Sequence, residues 1–119
     1  MSETWLDDET SLEWANTTSE KPLLYADINN YIEQLNKENY AGHQDWRCPR
    51  VKELITLLDF DRAAPAIKPA AAFQDDESYW SYTQSAKNEN MVWFVDFHFG
   101  FVHFNTKENE HQVRAVRGG

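Results

Sequence analysis

The sequence predicts an α+β fold in one domain over residues 1–119, with two helices packed on short antiparallel strands. Two helical stripes and one alternating aromatic segment carry that expectation. Ile28, Tyr31, Ile32 and Leu35 recur at i, i+3, i+4 and i+7, and Val51, Leu54, Ile55 and Leu58 repeat the spacing, each marking one face of a helix. In MVWFVDFHFGFVHFN (91–105), Trp93, Val95 and Phe97 alternate with Phe94, Asp96 and His98. Gly100 then marks a hairpin turn, and Val102 and Phe104 begin the return strand.

The elements follow in order. Trp5, Leu12 and Trp14 flank a DDETS cluster, which reads as a turn between two short strands. The first helix covers 24–36, with Pro22 just ahead of it, and NKENYAG ends it with Gly42 free to take a positive φ. The second helix starts at Pro49, whose missing N–H suits a first helical position. RAAPAIKPAAAF holds two prolines, so it reads as an ordered loop pinned by Ile67 and Phe73. QDDES is a turn, YWSYT a strand, TKENEHQ a turn and VRAVR a last strand.

Composition narrows the function. Hydrophobic residues make up 41% of the 119 and aromatics 14%, which marks a globular chain. No apolar run is long enough to span a bilayer, and MSETWLDDET lacks the basic and apolar regions of a secretory leader. A single cysteine forms no internal disulfide, so the expected compartment is reducing and cytoplasmic. The net charge is −9, and residues 1–20 hold six acids and no base. Direct binding of nucleic acid needs a basic face and is disfavoured. Such an acidic surface suits solubility or a basic partner, including a nucleic-acid-binding protein.

The stretch DWRCPRVKEL (45–54) gathers charges around the lone Cys48. Nucleophilic chemistry would need a lowered thiol pKa and a neighbouring base, and only His43 lies close in sequence. The structural reading is preferred: Asp45 and Arg47 make charge-assisted hydrogen bonds to backbone or to each other, Trp46 fills core, and Arg114 and Arg117 join the network from the last strand. No catalytic residue, metal or cofactor is expected.

Several blocks in register resemble one family. Thr10-Ser11-Leu12-Glu13-Trp14, Tyr25-Ala26-Asp27 through Tyr31, Gly42-His43-Gln44-Asp45-Trp46-Arg47-Cys48-Pro49, Lys52-Glu53-Leu54, Pro65-Ala66-Ile67, Tyr79-Trp80-Ser81, Trp93-x-Val95-x-Phe97 and Val113-Arg114-Ala115-Val116-Arg117-Gly118 occur in order. They resemble the C-terminal domain of the collagen-like Legionella adhesins. The resemblance implies a C-type-lectin-like fold, related to the formylglycine-generating enzyme, and binding of sulfated polysaccharides in the adhesins. It does not fix function, because that fold hosts many. The family often carries cysteines in the first helix and the closing strand. Ile32 and Ala115 stand at the inferred positions, so the resemblance implies that these two residues pack together. The chemistry of the formylglycine-generating relatives needs paired cysteines, which this chain lacks.

The binding candidates lie on the hairpin. Phe94, Phe99 and Phe101 exceed what one buried face needs, so with Trp93, Val95 and Phe97 inward, Phe94 points outward. His98 and His103 flank the tip, and Asp96 is the only candidate third ligand beside them, which makes a poor metal site. Asp75 and Asp76 form an acidic turn suited to steering a basic partner. The expectation is a non-enzymatic binding module for a protein partner inside the bacterial cell, such as an inhibitor carried by a phage or mobile element. The alternative is a surface glycan-binding domain, which would need a local basic patch of Arg47, Arg50, Lys52 and Arg62. The Arg-Gly-Gly ending matches the family's own closing block better than a conjugation tail.

Overall fold

The computed structural model describes residues 3–118. The chain runs β1 (Thr4–Leu6), β2 (Leu12–Ala15), β3 (Leu23–Leu24), α1 (Ile28–Lys37), α2 (Val51–Ile55), β4 (Ser78–Gln84), β5 (Met91–Asp96), β6 (Phe101–Thr106), β7 (Glu110–His111) and β8 (Val116–Gly118). Its three small sheets are ordered β1-β2-β8, β3-β7 and β4-β5-β6, and every strand pair within them is antiparallel. The α+β expectation therefore holds.

The central sheet positions everything else. Tyr79 pairs with Val95 and Trp80 with Phe94, so the period of two sends these pairs to opposite faces. On one face Tyr79, Val95 and Phe97 pack with Leu54, Leu57, Ile67 and Phe73. On the other, Trp80, Val92 and Phe94 pack with Ile28, Ile32 and Leu35 of α1 and with Trp46 and Cys48. Each fully buried side chain of this size contributes roughly 1.5–3 kcal/mol. Ile32 and Ala115 are both buried in the α1-side cluster.

This two-sided burial corrects one sequence expectation. Phe94 does not point outward: it is 8% exposed. The surplus of aromatics on 91–105 arises because both faces of β5 are covered, whereas the alternation argument assumed one.

The helices differ at their starts. A 3-10 turn at Tyr25–Asp27 precedes α1, so the α-helix proper begins at Ile28. The second helix begins at Val51, not Pro49. Arg50 is still extended, and the Pro49 carbonyl accepts the Tyr82 N–H at 2.8 Å, which ties this residue to β4. Thr83 Oγ1 accepts the Val51 N–H at 3.0 Å, and the Glu53 carboxylate reaches back to the Arg50 N–H at 2.8 Å, satisfying donors that the first turn leaves open. Gly42 takes the positive φ expected of it. The loop after α2 is pinned as expected, with Ile67 1% and Phe73 8% exposed. The pairing of β3 with β7 falls partly in the segment read as a turn, because two-residue strands carry no periodicity.

Candidate functional site

The stretch around Cys48 is tied to several parts of the chain. The Arg47 and Val116 backbones exchange two hydrogen bonds of 2.9 Å, which staples the chain to β8 just before α2. The Arg47 guanidinium grips Glu53 with two bonds of 2.8 and 2.7 Å and donates to the Gly118 carbonyl at 2.8 Å. Asp45 is bound by Arg117 at 2.7 Å, and Arg117 also reaches Glu13 at 2.5 Å. The Thr4 hydroxyl and Arg117 together hold the Glu13 carboxyl below its ordinary range, against the effect of burial. Asp45 and Arg47 thus bond to other partners and not to each other. Arg117 joins this network, and Arg114 does not. Trp46 fills core as expected, at 2% exposed, and the Asn36 amide brackets its backbone, accepting its N–H at 2.8 Å and donating to its carbonyl at 3.0 Å.

Cys48 is 8% exposed, and burial pushes its thiol pKa well up, which is the reverse of an activated nucleophile.

Arg114 sits in a different place from the one expected. Its side chain is 3% exposed, lies 3.7 Å over the Phe73 ring, donates to the Ala15 carbonyl at 2.7 Å, and pairs with Asp75. The Tyr79 hydroxyl donates to the same carboxylate at 2.8 Å. Asp75 is therefore the counter-ion of a buried arginine, which corrects its assignment as a steering acid. Asp76 remains a surface residue and pairs with His98 at 2.9 Å.

Aromatic rings form a continuous line from core to surface. His111 stacks on Phe94 with centroids 4.3 Å apart, Phe94 meets Phe101 edge-on at 6.1 Å, Phe101 stacks with Phe99 at 6.4 Å, and Phe99 meets His98 at 4.5 Å. Exposure rises outward, from 8% at His111 and Phe94 to 40% at Phe101 and 72% at Phe99. The outer rings are thus supported on a buried base. The turn itself is fixed, because Asp96 Oδ1 accepts the N–H groups of His98 and Phe99 at 2.8 and 3.0 Å. Gly100 has φ +83°, and a Cβ there would lie 2.9 Å from Ala66 Cβ, so the tip lies hard against the loop after α2. Ala64 and Ala66 donate to the His98 and Phe97 carbonyls at 2.9 and 2.7 Å. That loop also presents Phe60, 72% exposed. Sequence reasoning missed Phe60, although an isolated ring between Asp59 and Asp61 was a usable signal.

Among the described residues, no three of His, Cys, Asp and Glu come together as metal ligands would. His103 bonds its own strand, accepting the Phe104 N–H at 2.8 Å. His111 is a core residue held at both nitrogens, by Ser78 Oγ at 2.6 Å and the Asn105 amide at 3.1 Å, and burial lowers its pKa to about 4.

Elsewhere a groove of about 750 Å³ runs between α1 and the segment before β3, lined by Thr17, Thr18, Asn30, Tyr31 and Gln34 among others. Among the described residues, no helix is long and apolar enough to cross a membrane.

The family model described as the Lcl C-terminal domain matches residues 3–117 of the chain. No curated protein matches it.

Proposed function

The chain belongs to the Lcl C-terminal domain family, and from that premise we propose that it is a non-enzymatic, adhesin-like binding module that grips a basic protein partner through its aromatic hairpin tip. The observation that carries the reading is the stacked pair Phe99 and Phe101, held proud of the surface on a buried aromatic base. Exposed rings fixed in place lose little entropy when a partner covers them, which is how a few residues come to dominate an interface. Phe60, Asp59, Asp61 and Asp76 border the same region through the loop laced to the tip. Carboxylates beside ring faces favour Lys and Arg on the partner. His98 and His103 fall within or beside this surface, and Phe94 serves it from below. A C-type-lectin-like topology and a reducing, cytoplasmic compartment belong to the reading. The second is supported by a lone cysteine kept as a core thiol.

A second reading is favoured by the groove along α1. Its hydroxyls and amides, beside the Tyr31 ring, suit a neutral saccharide better than a sulfated one. The basic patch a sulfated glycan would need is depleted, because Arg47 is bound to Glu53. The two readings use different surfaces, so point variants separate them. Phe99→Ala should weaken binding to a basic protein or peptide by roughly 1–3 kcal/mol while leaving saccharide binding intact, and Gln34→Ala should do the reverse. Saccharide binding lost in Gln34→Ala, with no basic ligand found, would overturn the first reading.

A further inference from the structure

The β6 strand is a free edge. It pairs with β5 alone, and no strand lies on its other side among the described residues. The register fixes which of its backbone groups face outward. Trp93 O accepts from Ser81, Ser85 N–H donates to Met91 O, and just past β5 the Phe97 N–H donates to Glu77 O, so the odd residues of β5 direct their groups toward β4. Val92, Phe94 and Asp96 therefore face Asn105, His103 and Phe101 on β6. By the same alternation, Val102, Phe104 and Thr106 direct their N–H groups away from the sheet, as do the Val102 and Phe104 carbonyls, while the Thr106 carbonyl accepts the Asn109 N–H at 3.1 Å. The side-chain contacts agree: His103 Nδ1 accepts the Phe104 N–H at 2.8 Å, and Asn105 Oδ1 accepts the Thr106 N–H at 3.1 Å. Val102 has no such cap.

Edge strands are usually blunted by charge, proline or a bulge. Phe101–Thr106 reads FVHFNT, with no Lys, Arg, Asp, Glu or Pro, and it pairs with β5 in unbroken register. The His103 and Asn105 side chains cover two of the outward amides instead: His103 is exposed and free to swing aside, whereas the Asn105 amide also holds the buried His111 ring and stays in place. Phe101 and Phe104 are 40% and 37% exposed and lie on opposite faces of the strand. A strand laid beside β6 would thus find backbone groups at its edge and one ring on each face.

We propose that this edge accepts an extended, basic segment of a partner as an added antiparallel or parallel strand. The inference rests on the aromatic-tip reading and adds to it the mode of binding and the form of the partner. Charge decides the occupant. Asp76 and Asp96 lie at the hairpin end of the edge, and Glu89, Glu108 and Glu110 lie in the segments at the far end. Against these stand Lys87 and Lys107, and the Lys107 ammonium lies 5.2 Å over the Tyr25 ring, away from the edge. A second copy of the chain would bring its own net charge of −9 to the contact. A segment alternating basic and β-branched residues instead places stems on Phe101 and Phe104 and charges toward the carboxylates.

The test is an NMR titration of the whole chain with a short alternating Lys-Val peptide, an alternating Glu-Val peptide, and the Lys-Val peptide N-methylated along its length. The expected result is slowed hydrogen exchange at the Val102 and Phe104 amides on adding Lys-Val, with about tenfold or weaker binding of the other two peptides. Binding of the N-methylated peptide as tightly as the parent, or exchange unchanged at the two amides, overturns strand addition. Equal binding of Glu-Val overturns the basic occupant. Protection of the same amides that grows with protein concentration alone assigns the edge to a second copy and overturns the proposal, as does failure of any peptide to bind. Phe99→Ala separates this from the preceding reading, because Phe99 lies in the turn and off the edge. Strand addition unaffected by that variant leaves the edge assignment standing and removes the tip.

Discussion

Asp75→Asn tests the reassignment of Asp75 from surface acid to buried counter-ion. The change keeps the shape of the side chain and removes its charge. Arg114, with 3% of its side chain exposed, would then keep only neutral partners: the Ala15 carbonyl, the Tyr79 hydroxyl, the faces of Phe73 and Tyr79, and the oxygen of the new amide. Removing one partner of a buried ion pair costs about 3–5 kcal/mol, because the other charge is left uncompensated. Asp75 is itself 32% exposed, so water already screens part of the pair. The lower end, about 3 kcal/mol, is therefore expected. For a domain of this size that corresponds to a fall of roughly 12 °C in Tm. Urea unfolding followed by Trp fluorescence measures it, with an unchanged slope showing that the native state is otherwise intact. The double variant with Arg114→Met should recover much of the loss, since replacing both charges removes the stranded one. A loss below about 1 kcal/mol, the value of an exposed pair, would refute the argument.

Other expectations follow from single environments. His111 is neutral in the fold with its pKa lowered from 6.5 to about 4, so stability should be full above about pH 6.5 and fall as pH drops toward 4, where the unfolded chain binds a proton that the folded one refuses. The loss across that window is about 3 kcal/mol, and His111→Gln should flatten the stability-pH curve there, at some cost at neutral pH. Cys48 should resist thiol reagents until the protein is unfolded, and Cys48→Ser should cost about 1–2 kcal/mol for its buried hydroxyl. Asn36→Ala should cost about 1–3 kcal/mol, because it strands the backbone N–H and C=O of Trp46, and Asn36→Asp should rescue only the N–H. Phe99→Ala should leave Tm nearly unchanged, since the ring is 72% exposed.

What the sequence disclosed depended on range. Helix stripes and the hairpin were readable because their signals lie within a few residues, and the turn into α2 was readable from the cluster Asp45-Trp46-Arg47. Partners distant in sequence were not. Arg114 finds Asp75 rather than Asp45, and nothing in either segment marks that choice. Phe94 was misplaced because alternation cannot report how many faces of a sheet are covered. The buried His111 lies in a stretch of polar turn residues, and its ring is drawn into the core by Phe94 and Trp80, which no local pattern announces. Phe99 and Phe101 were legible as surplus rings, and both are exposed.

The central claim is that binding runs through the hairpin tip. The most direct measurement is parallel binding of wild type, Phe99→Ala, Phe101→Ala and Gln34→Ala to arrays of basic peptides and of glycans. The account predicts wild-type binding to basic peptides, weakened by roughly 1–3 kcal/mol in each Phe variant and unchanged in Gln34→Ala. Binding confined to glycans, lost in Gln34→Ala and indifferent to Phe99 and Phe101, would contradict it.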